Sequence, residues 1–84
     1  MRLYIRYYNV YALGSTPNTE VFDVDPECLV ADLKQMIFAR LRIEPKYLVL
    51  RVKNHGQFEM MNDELSIGFY NVKDGGYIYL ENLQ

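Results

Sequence analysis

The sequence predicts an α+β domain, a mixed sheet of four or five strands packed on one α-helix. Three observations lead there. Apolar and polar residues alternate with period two near both ends of the chain, the pattern of strands with one buried face. Between them, Cys28 to about Arg42 contains no Gly or Pro, and its apolar residues recur every four positions, as on an amphipathic helix. Clusters of turn-forming residues separate the remaining segments. One helix covers only one face of a sheet. A sheet wrapped over that helix is therefore the economical arrangement, with helix stripe and inward strand residues burying each other.

Each element follows from local pattern. In residues 1–8, Met1, Leu3, Ile5 and Tyr7 fall on the expected core face, and Arg2, Tyr4, Arg6 and Tyr8 on the other. Asn9 to Leu13 is unusually apolar for a loop; it is expected either to extend the strand or to form an exposed apolar tip. Gly14 to Asn18 is a dense turn cluster. A second strand is predicted over 19–25, with Phe22 and Val24 inward, joined to the first as a hairpin. Pro26 lacks an N–H and ends it. Asp25 or Glu27 is expected to serve the positive end of the following helix. The helix stripe consists of Leu29, Leu33, Ile37 and Leu41, with Val30 and Met36 alongside. Asp32, Lys34, Gln35 and Arg40 lie mostly off it.

Pro45 marks the helix as finished, because the residue before proline is pushed toward extended geometry. Tyr47 to Val52 reads as a third strand, Asn54-His55-Gly56 as a turn, and Gln57 to Met61 as a short fourth strand with Phe58 inward. Leu65 to Val72 reads as compact and irregular. Lys73 to Gly76 is another turn, and Tyr77 to Leu83 the last strand, with Ile78 and Leu80 inward. No internal repeat or linker divides residues 1–84, which are expected to form a single domain.

Composition bounds the function. Half of the 84 residues are apolar and 14% aromatic, so the chain is expected to be globular. A net charge of −2 argues against general nucleic-acid or anionic-membrane binding, since neutralising phosphates needs a basic surplus. One cysteine rules out an intrachain disulfide and suits a reducing compartment. No apolar run reaches the roughly 18 residues of a spanning helix, and the N-terminal segment lacks the apolar block of a signal peptide. A cytoplasmic or nuclear location is expected. Met1 is expected to be a native N-terminus, and Gln84 a boundary within a longer protein.

The order of elements carries a resemblance. Met1 to Arg6, then Val24-Asp25-Pro26, the helix, Ile43-Glu44-Pro45, Leu65-Ser66, Tyr70-Asn71-Val72 and Tyr77 to Leu80 together resemble ubiquitin and its relatives over essentially the whole chain, with few identical positions. The resemblance implies a β-grasp fold and recognition by other proteins rather than enzymatic activity. It also implies that Tyr70 anchors its loop by hydrogen bonding to nearby backbone.

Three departures from the family stand out. The chain ends Glu81-Asn82-Leu83-Gln84, without the terminal diglycine that conjugated members require. The internal Gly75-Gly76 reads as a turn, because cleavage after it would remove the last strand. On the sheet face that receptors of ubiquitin grip, Arg51 stands for the central isoleucine, Tyr79 for a histidine and Glu81 for a valine. An apolar receptor helix would have to desolvate Arg51 without a guaranteed partner, which argues against ordinary ubiquitin receptors. Finally, the loop between the first two strands is longer than the family's turn and carries Val10, Tyr11 and Leu13.

These readings lead to a non-enzymatic, monomeric interaction module. It would link a larger protein to the ubiquitin–proteasome system or act as an adaptor in signaling. The expected partner-binding residues are Tyr4, Arg6, Tyr8, Val49, Arg51 and Tyr79, because Tyr and Arg bring contact area, stacking and hydrogen bonds to interfaces. The same residues could instead only stabilise the sheet through cross-strand pairs. Two alternatives are a conjugable modifier, sulfur carrier or precursor, and a grasp-fold domain that binds small GTPases or self-associates; the acidic second strand speaks against GTPase binding. No catalytic, cofactor or metal site is expected. Cys28 and His55 lie 27 positions apart without supporting residues, zinc needs several Cys or His ligands, and Glu59, Asp63 and Glu64 read as solvated loop carboxylates.

Overall fold

The computed structural model of the chain describes residues 1–8 and 17–84, with backbone alone at Tyr8 and Pro17. The expectations for Val10, Tyr11 and Leu13 lie outside the described residues. Five strands form one mixed sheet: β1 (Arg2–Tyr8), β2 (Pro17–Asp23), β3 (Leu48–Asn54), β4 (Gln57–Met60) and β5 (Gly76–Asn82), in the order β2-β1-β5-β3-β4. The central β1–β5 pair is parallel and the other pairs are antiparallel. Helix α1 (Val30–Leu41) packs on one face. This is the α+β, β-grasp arrangement.

The core lies between α1 and the inward strand residues. Val30, Leu33 and Ile37 of the helix are fully buried with Leu3, Ile5, Leu50 and Ile78 of the sheet. Phe22 and Val24 point inward as expected, although β2 runs from Pro17 to Asp23 rather than to Asp25. Tyr47 belongs to a 3-10 turn, Pro45–Tyr47, which the proline at its first position favours over a strand.

The start of α1 departs from expectation. Its N-cap is Leu29, which is exposed and makes no side-chain cap hydrogen bond, so neither Asp25 nor Glu27 caps it. Instead, the Val30 and Ala31 N–H groups donate to the carbonyls of Leu65 (2.9 Å) and Asp63 (3.1 Å). A loop distant in sequence thus satisfies donors that a helix N-terminus leaves open. That loop is held in turn by Tyr70, buried in the 3-10 turn Gly68–Tyr70, whose hydroxyl accepts the Asn62 N–H at 2.6 Å. The expected anchoring role of Tyr70 is thereby met.

Two charged residues also differ from expectation. Lys34 is buried rather than off the stripe, with its Nζ 2.7 Å from Asp63 Oδ1, so Asp63 is an ion-pair partner of the helix rather than a solvated carboxylate. The long lysine stem lies along the core and brings its charge to the rim, where Asp63 meets it. Among the described residues, no helix is long and apolar enough to cross a membrane.

Candidate protein-interaction face

Strand alternation places a second set of side chains on the face away from α1. The registers align Arg6 of β1 with Tyr79 of β5, Tyr79 with Arg51 of β3, and Arg51 with Met60 of β4. One row therefore crosses four strands with Tyr79 between two arginines. In the adjacent row, Val21, Tyr4 and Tyr77 align. The Tyr4 and Tyr77 rings stack with centroids 5.4 Å apart, and Phe58 meets Tyr79 edge-on at 5.2 Å.

Of the residues expected to bind a partner, Tyr4, Arg6, Arg51 and Tyr79 share this face. Val49 lies on it beside Glu81 at the end of β3. Tyr8 ends β1 opposite Pro17, and the position of its side chain lies outside the description. The face also contains residues not expected there: Tyr77, Phe58 and Met60, all exposed. Tyr77 follows from its own strand, since it shares parity with Tyr79.

Phe58 is a correction. Its expected inward position is replaced by an outward one, 56% exposed, and β4 has no buried residue. The turn decides this. His55 and Gly56 both have positive φ, 51° and 80°, the conformation of a two-residue hairpin loop whose twist suits the flanking strands. That loop sets Lys53 opposite Phe58, and Lys53 shares its face with Arg51. Counting from Asn54-His55-Gly56 would have given the answer. Met61, just past the end of the strand, supplies the buried contact, its N–H donating to the Leu50 carbonyl at 2.8 Å.

The electrostatics of the face are uneven. Arg51 donates to the Glu81 carboxylate, so the partner that its desolvation would require is built into the chain. Arg6 and Lys53 have no carboxylate within ion-pair distance among the described residues, and residues 9–16 contain no Asp or Glu. The Lys53 ammonium lies 5.7 Å from the Phe58 ring centroid, within reach of a cation–π contact.

The β2 edge is arranged differently. Arg40 of α1 lies 3.9 Å over the Phe22 ring, donates to the Val21 carbonyl and sits 3.8 Å from the Glu20 carboxylate. It thus occupies a carbonyl of an edge strand that an added strand would need. Burial, the Glu20 charge and a hydrogen bond to Glu20 all push the pKa of Tyr7 above its ordinary value.

Cys28 and His55 are not brought together. Cys28 is a free thiol whose pKa is raised by burial, then by Asp32 and Asp25, which holds it in the unreactive protonated form. His55 stands on the β3–β4 hairpin turn, on a different element. Among the described residues, no cluster of His, Cys, Asp and Glu could hold a metal ion. Neither a family model nor a curated protein sequence matches the chain.

Proposed function

We propose that this chain is a non-enzymatic, ubiquitin-like protein-interaction module, and that the outer face of its sheet receives the partner. The observation that carries this reading is the row Arg6–Tyr79–Arg51, extended by the Tyr4–Tyr77 stack and Phe58. Six such side chains share one face, and their types are those enriched where proteins bind one another. The β-grasp arrangement and the resemblance to ubiquitin favour a role as an adaptor that links a larger protein to the ubiquitin–proteasome system, in cytoplasm or nucleus.

Two observations weigh against the alternatives. Gly75 has φ +82° in a turn, and Gly76 opens β5 opposite Leu3; a Cβ at Gly76 would lie 2.8 Å from the Lys73 carbonyl oxygen. This diglycine is therefore explained by its turn rather than by processing for conjugation. Arg40 occupies the β2 edge, where a GTPase strand would add.

The test is affinity capture from eukaryotic cytosol with the wild-type chain and a folded Arg51→Glu/Tyr79→Ala variant, read by mass spectrometry. Ubiquitin–proteasome components lost only from the variant are the expected result. Equal recovery by both proteins would move the function away from this face.

A further inference from the structure

We infer that the partner seated on the outer sheet face is an acidic protein segment carrying apolar anchors. This rests on the proposed interaction face and adds the chemistry of its occupant. The chain is acidic overall, with a net charge of −2, yet its charges are segregated. Asp25, Glu27, Asp32, Asp63 and Glu64 gather around the N-terminal end of α1. The outward positions of the sheet carry Arg2, Arg6, Arg51 and Lys53 against Asp23 and Glu81. Glu81 is committed to Arg51, and Asp23 lies 3.4 Å from the Met1 amino group.

The uncompensated charges are therefore Arg2, Arg6 and Lys53, and the last two lie on opposite sides of Tyr79 and Tyr77. Lys53 also borders a shallow cleft that continues from the face, lined by Lys73, Asn54, Asn71 and Tyr77 with no carboxylate. Lys73, too, has no carboxylate within ion-pair distance among the described residues. A neutral apolar partner covering the tyrosines would desolvate these cations and leave them unpaired, which is costly. A partner with carboxylates opposite Arg6, Lys53 and Lys73 avoids that cost while its apolar side chains lie on Tyr4, Tyr77, Tyr79 and Phe58. Charge complementarity of this kind also speeds encounter and suppresses wrong partners. Nucleic acid fits less well, since few cations are free and Glu81 and Asp23 stand on the same face.

The test is selection from a displayed library of random dodecapeptides on the wild-type chain, followed by affinity measurement of the selected peptides. The expected peptides are enriched in Asp and Glu together with aliphatic or aromatic residues. Their affinity should fall by roughly tenfold or more for an Arg6→Glu/Lys53→Glu variant, as lost charge pairs at an interface do. It should also fall when salt is raised. Because reversal at Arg6 could disturb the fold, an Arg6→Gln/Lys53→Gln variant, checked by circular dichroism, is measured alongside and should show a smaller loss in the same direction.

Selected peptides without acidic enrichment would overturn the inference while leaving an interaction face standing, and so would acidic peptides that both variants bind as tightly as the wild type. An empty selection would also overturn it. So would tighter binding of a random RNA pool at physiological salt, or concentration-dependent self-association blocked by the same substitutions. Failure of the interaction face itself would appear separately, as cytosolic partners retained by the Arg51→Glu/Tyr79→Ala variant.

Discussion

The two faces of one sheet set the terms for this protein. Consecutive residues of the same strands go to opposite fates: Leu3, Ile5, Leu50, Ile78 and Leu80 are buried under α1, while Tyr4, Arg6, Arg51, Tyr77 and Tyr79 look outward. The inner face is aliphatic and close-packed, so each methylene there is felt by the whole fold. The outer face is made of long amphipathic side chains that touch one another along registered rows. Stability constrains the first strongly and the second weakly, which leaves the second open to selection for recognition.

The widest contrast is between Ile5 and Tyr77, neighbours across the β1–β5 pairing region on opposite faces. Ile5→Ala should cost about 2–5 kcal/mol by opening a cavity in a fully buried site. Tyr77→Ala should cost no more than about 1 kcal/mol, the worth of a cross-strand aromatic pair. Urea denaturation of both variants measures the difference, and equal losses would make the outer aromatics structural.

A second comparison sets the two ion pairs against each other. Asp63→Asn leaves the buried Lys34 ammonium without its partner; because Asp63 is 54% exposed, the expected loss is about 1–2 kcal/mol, below the roughly 3–5 kcal/mol of a fully buried pair. The outer pair, Arg51 with Glu81, lies 34% and 50% exposed, and a double-mutant cycle with Arg51→Ala and Glu81→Ala should give a coupling of only about 0.2–1 kcal/mol. A larger coupling on the outer face would reverse the assignment of stability to one side of the sheet.

The smallest expected effect concerns pH. Tyr7 shares the inner face of β1 with Leu3 and Ile5 and packs half-buried against the core, with its pKa raised by burial and by Glu20. The folded chain therefore keeps this proton at pH values where the unfolded chain has lost it. Its contribution to stability is complete below about pH 10, the ordinary tyrosine value, and is lost as pH rises through the higher folded-state value. The denaturation midpoint of the wild type should accordingly fall more steeply above about pH 10 than that of Tyr7→Phe, measured in urea across the alkaline range.

Much of the architecture was legible because its causes are local. Alternation identified β1 and β5, the four-residue recurrence identified α1, and Pro26 and Pro45 bounded their elements. The outer face proposed for interaction was legible in part, since Tyr4, Arg6, Arg51 and Tyr79 follow from strand parity. Phe58 was misplaced because hydrophobicity outweighed turn geometry: a phenylalanine on a short strand reads as core, while a two-residue hairpin loop fixes it opposite Lys53. The cap of α1 was missed for a different reason. A sequence offers nearby Asp25 and Glu27, whereas the observed acceptors at Asp63 and Leu65 come from more than thirty residues away. Lys34 hides in the same way, since its charge suggests solvent and only the position of Asp63 permits burial.

By itself, the sequence determined that this chain makes strands, one amphipathic helix and turns, because hydrophobic period, proline and turn chemistry act within a few residues. Beyond the β1–β2 hairpin, tertiary structure alone decided which strands are neighbours. It thereby aligned Arg6, Tyr79 and Arg51 in one row, gave Arg51 its partner in Glu81, left Arg6 and Lys53 uncompensated, and closed the β2 edge with Arg40. These outcomes depend on register and on contacts between distant segments, where the interaction energy belongs to the pair and neither residue carries it alone.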